Sequence, residues 1–344
     1  MTPEDVADFV RAHERVRARG GGSKPTLSTA PEGVTALDLG GLSGVLAYDP
    51  AEYTFTALAG TPVREVAALL AEHGQFLPFD PPLVEAGATL GGTVAAGLSG
   101  PGRWRFGGVR DFVLGVQFVD GAGALRRGGG RVVKNAAGFD FPKLMVGSLG
   151  RLGVLTELSF KVFPAPPAHR TLAFRYGGLE EALAALLRLA AHPFDLACLD
   201  LRLEGVLVLR LGGLEDALDA RTERLATFLG RPAEVWPDGE TWLEARTFGW
   251  ARTPALIRVP VTPGQLLGLD GGLAGLARRY SAGANVAWVN ADPPDLPRLD
   301  HHLRTLGLGG LVLRGAPEAH LGVAPTGVML ERVRAAFDPV GRFG

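Results

Sequence analysis

A single cysteine, Cys198, stands in 344 residues. One thiol excludes an internal disulfide and any thiolate-held metal cluster within the chain. Flanked by Leu196, Ala197 and Leu199, it reads as a small buried apolar residue. No run of about 18 apolar residues occurs, so no membrane-spanning helix is expected. The opening MTPEDVADFVRAHERVRARG lacks the apolar core of a signal peptide and reads as the start of an amphipathic helix, which makes a cytoplasmic location the default expectation. An excess of charge of one sign is missing too. A formal net charge of -1 gives no reason to expect nucleic acid, whose phosphates need a basic face. Lysine is confined to Lys24, Lys134, Lys143 and Lys161, so arginine carries nearly all the positive charge. That usage speaks to genome composition or growth temperature rather than to chemistry.

The chain is long enough for two domains, each with its own core. A hydrophobic fraction of 47% and a mean hydropathy of +0.16 fit a soluble globular protein. Glycine is densest between Gly87 and Gly108, at Gly87, Gly91, Gly92, Gly97, Gly100, Gly102, Gly107 and Gly108, among small residues and hydroxyls. Such a segment lets main chain approach a large ligand closely. The apolar strands expected on either side, residues 112–119 and 153–162, mark it as part of a fold and not a linker.

Patterning predicts a helix over residues 3–15, a strand ending at Arg19, and short strands at 36–39, 44–48 and 54–59. A helix starts at Thr61-Pro62 and stops at Gly74, another spans 91–98, and a short one lies in 142–149. FVLGVQFVD and ALRRGG form a hairpin across Gly121-Ala122-Gly123, and VLTELSFKV closes the unit as a strand. Pro164-Ala165-Pro166-Pro167 reads as a domain boundary. Beyond it, strands and helices alternate in an order that favours an α+β layer with an antiparallel sheet. Helices are expected there at 264–279 and 296–306, with a last one at 327–337. The two halves of this region read as a loose duplication without a residue-level repeat.

GGGSK, residues 20–24, has the makings of a phosphate cradle: consecutive glycines let N–H groups converge on an anion, with Ser23 and Lys24 as further donors. It has neither P-loop nor GxGxxG spacing. In isolation an ordinary glycine turn accounts for it as well. The second glycine segment, GATLGG at 87–92, is what a long two-ended ligand requires.

GGGSKP, YDPAEYTFTALAGTPVREVAALLAEHGQFLPFDPP, ATLGGTVAAGLSGPGRWRFGGVRDFVLGVQFVDGAG and VVKNAAGFDFPKLMVGSLGRLGVLTELSFKVFP, in this order, resemble the FAD-binding domain of vanillyl-alcohol oxidase (PCMH) type flavoproteins. Within that superfamily they are most similar to the E subunits of bacterial glycolate oxidases. The resemblance is strong over residues 17–164, faint beyond, and returns at RVRAAFDPVGRFG. It implies an α+β protein: a two-subdomain FAD-binding domain over residues 1–167 (about 1–80 and 81–167), a cap domain with an antiparallel sheet over 168–322, and a tail, 323–344, returning to the first domain.

The resemblance also implies that Gly20, Gly21, Gly22, Ser23 and Lys24 surround the FAD pyrophosphate. Thr89, Gly91, Gly92, Thr93, Gly97, Ser99 and Gly100 would line the second wall, with Pro82 at its entrance and Arg110, Asp111 and Val154 toward the ribose and the ring systems. Each glycine has the alternative of serving a tight turn or close packing. Lys134 of KNAAGFD either approaches the flavin or pairs with Asp140. Phe139 stands where relatives often carry tyrosine, so no hydroxyl is available there. The histidine pair and acidic residue that hold a divalent metal in related α-hydroxy-acid flavoenzymes have no counterpart; His301 and His302, adjacent on a helix, point about 100° apart. Residues 17–30 and 87–111 contain no histidine or cysteine, so FAD is expected to bind without a covalent bond. The Asn-Pro-Gly-Arg that usually follows the C-terminal phenylalanine is absent.

Arg258, in the apolar strand ALIRVPV, is a candidate to grip a substrate carboxylate; strand alternation leaves open that it faces water. The resulting expectation is an FAD-binding subunit of a glycolate oxidase complex, auxiliary to a paralogous D flavoprotein subunit that oxidises the substrate. An F subunit would carry the iron–sulfur cluster and hold this chain peripheral to the inner membrane. The alternatives are a flavin-free scaffold subunit and an independent FAD-dependent 2-hydroxy-acid oxidoreductase.

Overall fold

The computed structural model describes residues 1–130 and 139–344, and Lys134 lies outside them. The fold is α+β. The chain divides into one unit of residues 1–99, 107–165 and 326–344, and a second of residues 100–106 and 166–325. Gly100, read from the sequence as part of the first domain's glycine wall, falls in the second unit.

In the first unit the helix Pro3–Ala12 opens on a capping box: the Asp5 amide donates to the Thr2 hydroxyl at 3.2 Å and the Thr2 amide to the Asp5 carboxylate at 2.7 Å. Its buried face, Val6, Ala7 and Val10, packs with Leu37, Val119, Val154 and Phe343. The helix stops three residues short of the expected Arg15, because His13 is extended and the chain turns into the strand Val16–Arg19. That strand pairs in parallel with Thr35–Asp38. A five-stranded antiparallel sheet runs in the order Val45–Asp49, Thr54–Leu58, Val154–Lys161, Val113–Val119, Leu125–Gly129. Buried Phe55, Phe79, Phe112 and Phe160 stack beside it, Phe55 on Phe160 at 5.3 Å. In the expected hairpin turn the Asp120 carboxylate accepts from the Ala122 and Ala124 amides and from Arg126.

The tail docks on this unit. The Gly121 amide donates to the Phe337 carbonyl at 2.7 Å, the Val16 amide to the Arg342 carbonyl at 2.8 Å, and Arg342 Nε to the His13 carbonyl at 3.0 Å. The helix Val328–Phe337 buries no residue fully.

The second unit is built on nine strands, all antiparallel, in the order Glu234–Trp236, Ala168–Arg175, Val206–Gly213, Cys198–Arg202, Ala277–Ser281, Val286–Ala291, Ala255–Pro260, Gly309–Arg314, His320–Gly322. Both halves of the loose duplication thus share one sheet. Alternation sends Leu172, Leu199 and Leu209 into the main core with the helices Leu179–Ala190, Glu215–Leu229, Pro263–Gly271 and Leu296–Thr305. It sends Ala173, Cys198 and Val208 to the other face, under Trp242 of the helix Asp238–Thr247. The helix expected over 264–279 is a helix only to Gly271. Its last part is the strand Ala277–Ser281, where buried Arg278 donates to Asp270 at 2.5 Å and to the Leu273 and Leu276 carbonyls at 2.8 Å each.

Candidate functional site

A cleft with a cavity volume of about 80 Å³ lies within the first unit. One wall is Gly20, Gly21, Gly22, Ser23 and Lys24; the other is Thr89, Gly91 and Gly92 at the start of the helix Leu90–Ala96. The walls touch. A Cβ at Gly21 would overlap the Gly87 carbonyl oxygen, and one at Gly91 would sit 2.9 Å from both the Cβ and the carbonyl oxygen of Ala59. These two glycines therefore serve close approach of main chain to main chain. The Thr89 hydroxyl accepts from the Gly92 amide at 3.2 Å and caps the helix.

The chemistry is that of an anion cradle. The strand Val16–Arg19 ends at the glycines, and the amides of Gly21, Gly22 and Ser23 make no hydrogen bond among the described residues. Lys24 is 7% exposed, donates to the Ser23 hydroxyl at 2.9 Å and has no carboxylate partner among the described residues. Burial pushes its ammonium pKa down to about 8. Unpaired amides around a desolvated, uncompensated cation suit the phosphates of a dinucleotide, so the residues fit FAD at this place.

The remaining sequence-derived candidates lie outside the cleft lining. Pro82 is buried, and Val154 sits in the core. Gly97 is the left-handed C-cap of the helix Leu90–Ala96, and the Ser99 hydroxyl accepts from the Val109 amide at 2.9 Å. Asp111 accepts from the Gly108 amide at 2.8 Å, and exposed Arg110 donates to the Lys143 carbonyl at 2.9 Å. Thr93 is buried, and its hydroxyl has no partner among the described residues. Sequence reasoning missed Leu149, Gly150, Gly153 and Leu155 along the cleft, although the glycine spacing of GSLGRLG was the available signal.

In the second unit Arg258 lies on Ala255–Pro260 with its side chain largely buried and no hydrogen-bond or ion-pair partner among the described residues. Burial, and secondarily Arg103, lower its pKa to about 10. His302 Nε2 is 3.0 Å from the Leu269 carbonyl, which ties it to the helix Pro263–Gly271. Among the described residues no group of three His, Cys, Asp or Glu side chains has a metal-binding arrangement, and no helix is long and apolar enough to cross a membrane.

Residues 1–129 match the family model described as an FAD binding domain. Over 207 residues the chain is 44% identical to the glycolate oxidase subunit GlcE of Escherichia coli, covering 60% of this chain and 58% of that protein. It is 32% identical over 165 residues to the glycolate oxidase subunit GlcD of Bacillus subtilis, covering 48% and 35%. It is 31% identical over 160 residues to a D-lactate dehydrogenase of Anaerostipes hadrus, covering 46% and 33%. The matches thus span somewhat over half of the E subunit and about a third of the other two relatives. A solved structure of an alkyldihydroxyacetonephosphate synthase superposes with a TM-score of 0.72 at 16% identity, covering 99% of this chain and 74% of that one, and shares its fold. Over 60% of its length the chain is thus similar to a glycolate oxidase E subunit, and its residues 1–129 match an FAD binding domain.

Proposed function

We propose that this chain is the FAD-binding subunit of a glycolate oxidase complex and holds its cofactor without a covalent bond. The observation that carries the reading is Lys24, a buried cation without a carboxylate partner among the described residues, beside three unpaired loop amides. When bound, FAD supplies a hydride acceptor. The chain's own residues do the holding: the Gly21, Gly22 and Ser23 amides and the Lys24 ammonium take the pyrophosphate, and Thr89 fixes the facing helix. The proposed FAD-binding domain spans residues 1–167 with the tail 323–344, and the proposed cap spans 168–322. Arg258, whose planar fork has no other partner among the described residues, is the residue that would take a hydroxy-acid carboxylate if the chain were instead an independent oxidase.

Similarity to both an E and a D subunit of glycolate oxidase supports a division of labour in which a paralogous D flavoprotein oxidises the substrate and an iron–sulfur F subunit takes the electrons. The test is purification of this chain alone with FAD. We expect flavin absorbance, release of free FAD on denaturation, and no bleaching by glycolate at catalytic rates. Colourless protein after FAD soaking would identify a scaffold subunit instead, and rapid bleaching an independent oxidase.

A further inference from the structure

The second unit holds a cavity of about 300 Å³, larger than the 80 Å³ of the glycine cleft and at the lower bound of small-molecule sites. It lies between the helix Glu215–Leu229 and the loop 192–196, which joins the helix Leu179–Ala190 to the strand Cys198–Arg202. Its floor is apolar: Leu196, Leu211 and Leu225 are each at most 2% exposed. His192 and Phe194 form the loop side, braced on Phe228 by ring contacts at 4.6 and 4.9 Å. On the helix, Arg221, Arg224 and Leu225 stand at i, i+3 and i+4 and so share a face.

The charge around this floor is lopsided. Asp195 is the only carboxylate among the described residues lining the cavity, and two guanidiniums already share it: Arg105 ion-pairs with it and Arg221 lies 3.9 Å away. Arg221 commits its other donors to the Gly212 carbonyl at 2.7 Å and to the Asp195 carbonyl. Arg224 is exposed and has neither a hydrogen bond nor an ion pair among the described residues. An apolar floor gains from an apolar body laid on it, and a free guanidinium beside it from a carboxylate on that body. We propose that this cavity is an accessory site for a small aromatic carboxylic acid, its ring on the leucines beside Phe194 and its carboxylate toward Arg224 and Arg221. The site is separate from both places already assigned. The glycine cleft belongs to the first unit. Arg258 lies on the opposite face of the sheet, because its neighbours Ile257 and Val259 join the same core as Leu196, Leu211 and Leu225.

The test is calorimetric titration of the full-length protein, its flavin content recorded by absorbance, with phenylacetate, phenylacetamide and acetate at fixed pH and ionic strength. Saturable binding of phenylacetate that leaves flavin content unchanged is expected, with the uncharged amide and the ringless acetate both weaker. Arg224→Gln alters an exposed side chain without a structural partner and should weaken phenylacetate roughly fivefold while leaving the amide unchanged. Arg258→Gln should leave phenylacetate binding as it is. Absence of saturable phenylacetate binding at millimolar concentration, or binding untouched by Arg224→Gln, would overturn the site. Amide binding as tightly as the acid would overturn the carboxylate assignment, and acetate binding as tightly would overturn the role of the apolar floor. Binding lost in Arg258→Gln and kept in Arg224→Gln would place the acid on the other face of the sheet and overturn the proposal as well.

Discussion

Lys24 carries more consequence than any other side chain in the cleft. Its ordinary pKa of 10.5 falls to about 8 through burial alone. Between those values the unfolded chain holds a proton that the native chain lacks, so the ligand-free protein should gain stability as pH rises through this window. Anion binding has the opposite preference, since it needs the protonated ammonium. FAD affinity should therefore weaken as pH rises above about 8, and binding at pH 9 should take up a proton, measurable by calorimetry in two buffers of different ionisation enthalpy. Lys24→Met keeps the stem and removes the charge, and should weaken FAD by about 1.5–3 kcal/mol, the usual worth of a charged hydrogen bond. An affinity that stays flat from pH 7 to 9.5 would remove Lys24 from the phosphates.

The helix Leu90–Ala96 shows what local chemistry reveals and what it hides. Thr89, read from the sequence as part of the wall before a helix at 91–98, proves to cap Leu90–Ala96, and Thr89→Ala should cost about 1 kcal/mol in denaturant melts. Gly91→Leu should cost more and empty the cleft of flavin, because any side chain there meets the Ala59 backbone; a variant with normal flavin content would show that the wall can move. Glycine walls were legible because close approach leaves a compositional trace. Gly97 and Ser99 carry the same residue types yet serve as a cap and a loop tie, a distinction that only the three-dimensional hydrogen bonds make. The stretch 264–279 was misread for a related reason. LLGLDGGLAGLARRY has apolar residues at helical spacing, but Ala277–Ser281 is claimed by strands on either side, Cys198–Arg202 and Val286–Ala291. Nothing local announces that Arg278 will be buried with Asp270 and Tyr280 for partners.

At the scale of the molecule, the first unit is assembled from three separated stretches of sequence. The last of them supplies acceptors to the Val16 and Gly121 amides and places Phe343 in the core. Deleting residues 326–344 should lower the melting temperature by several degrees and speed hydrogen exchange at those two amides. Unchanged exchange would mean that the tail is not docked in solution.

That interleaving also imposes an order in time. As the chain leaves the ribosome, the nine-stranded sheet has its last strand, His320–Gly322, in hand before residues 326–344 emerge. The flavin-type unit, begun first, is finished last, because domains fold as their segments become available. During synthesis its cleft walls are made long before the tail that braces the strand leading into them. A nascent chain stalled near residue 325 would thus be the state in which to look for an open, exchangeable cofactor cleft.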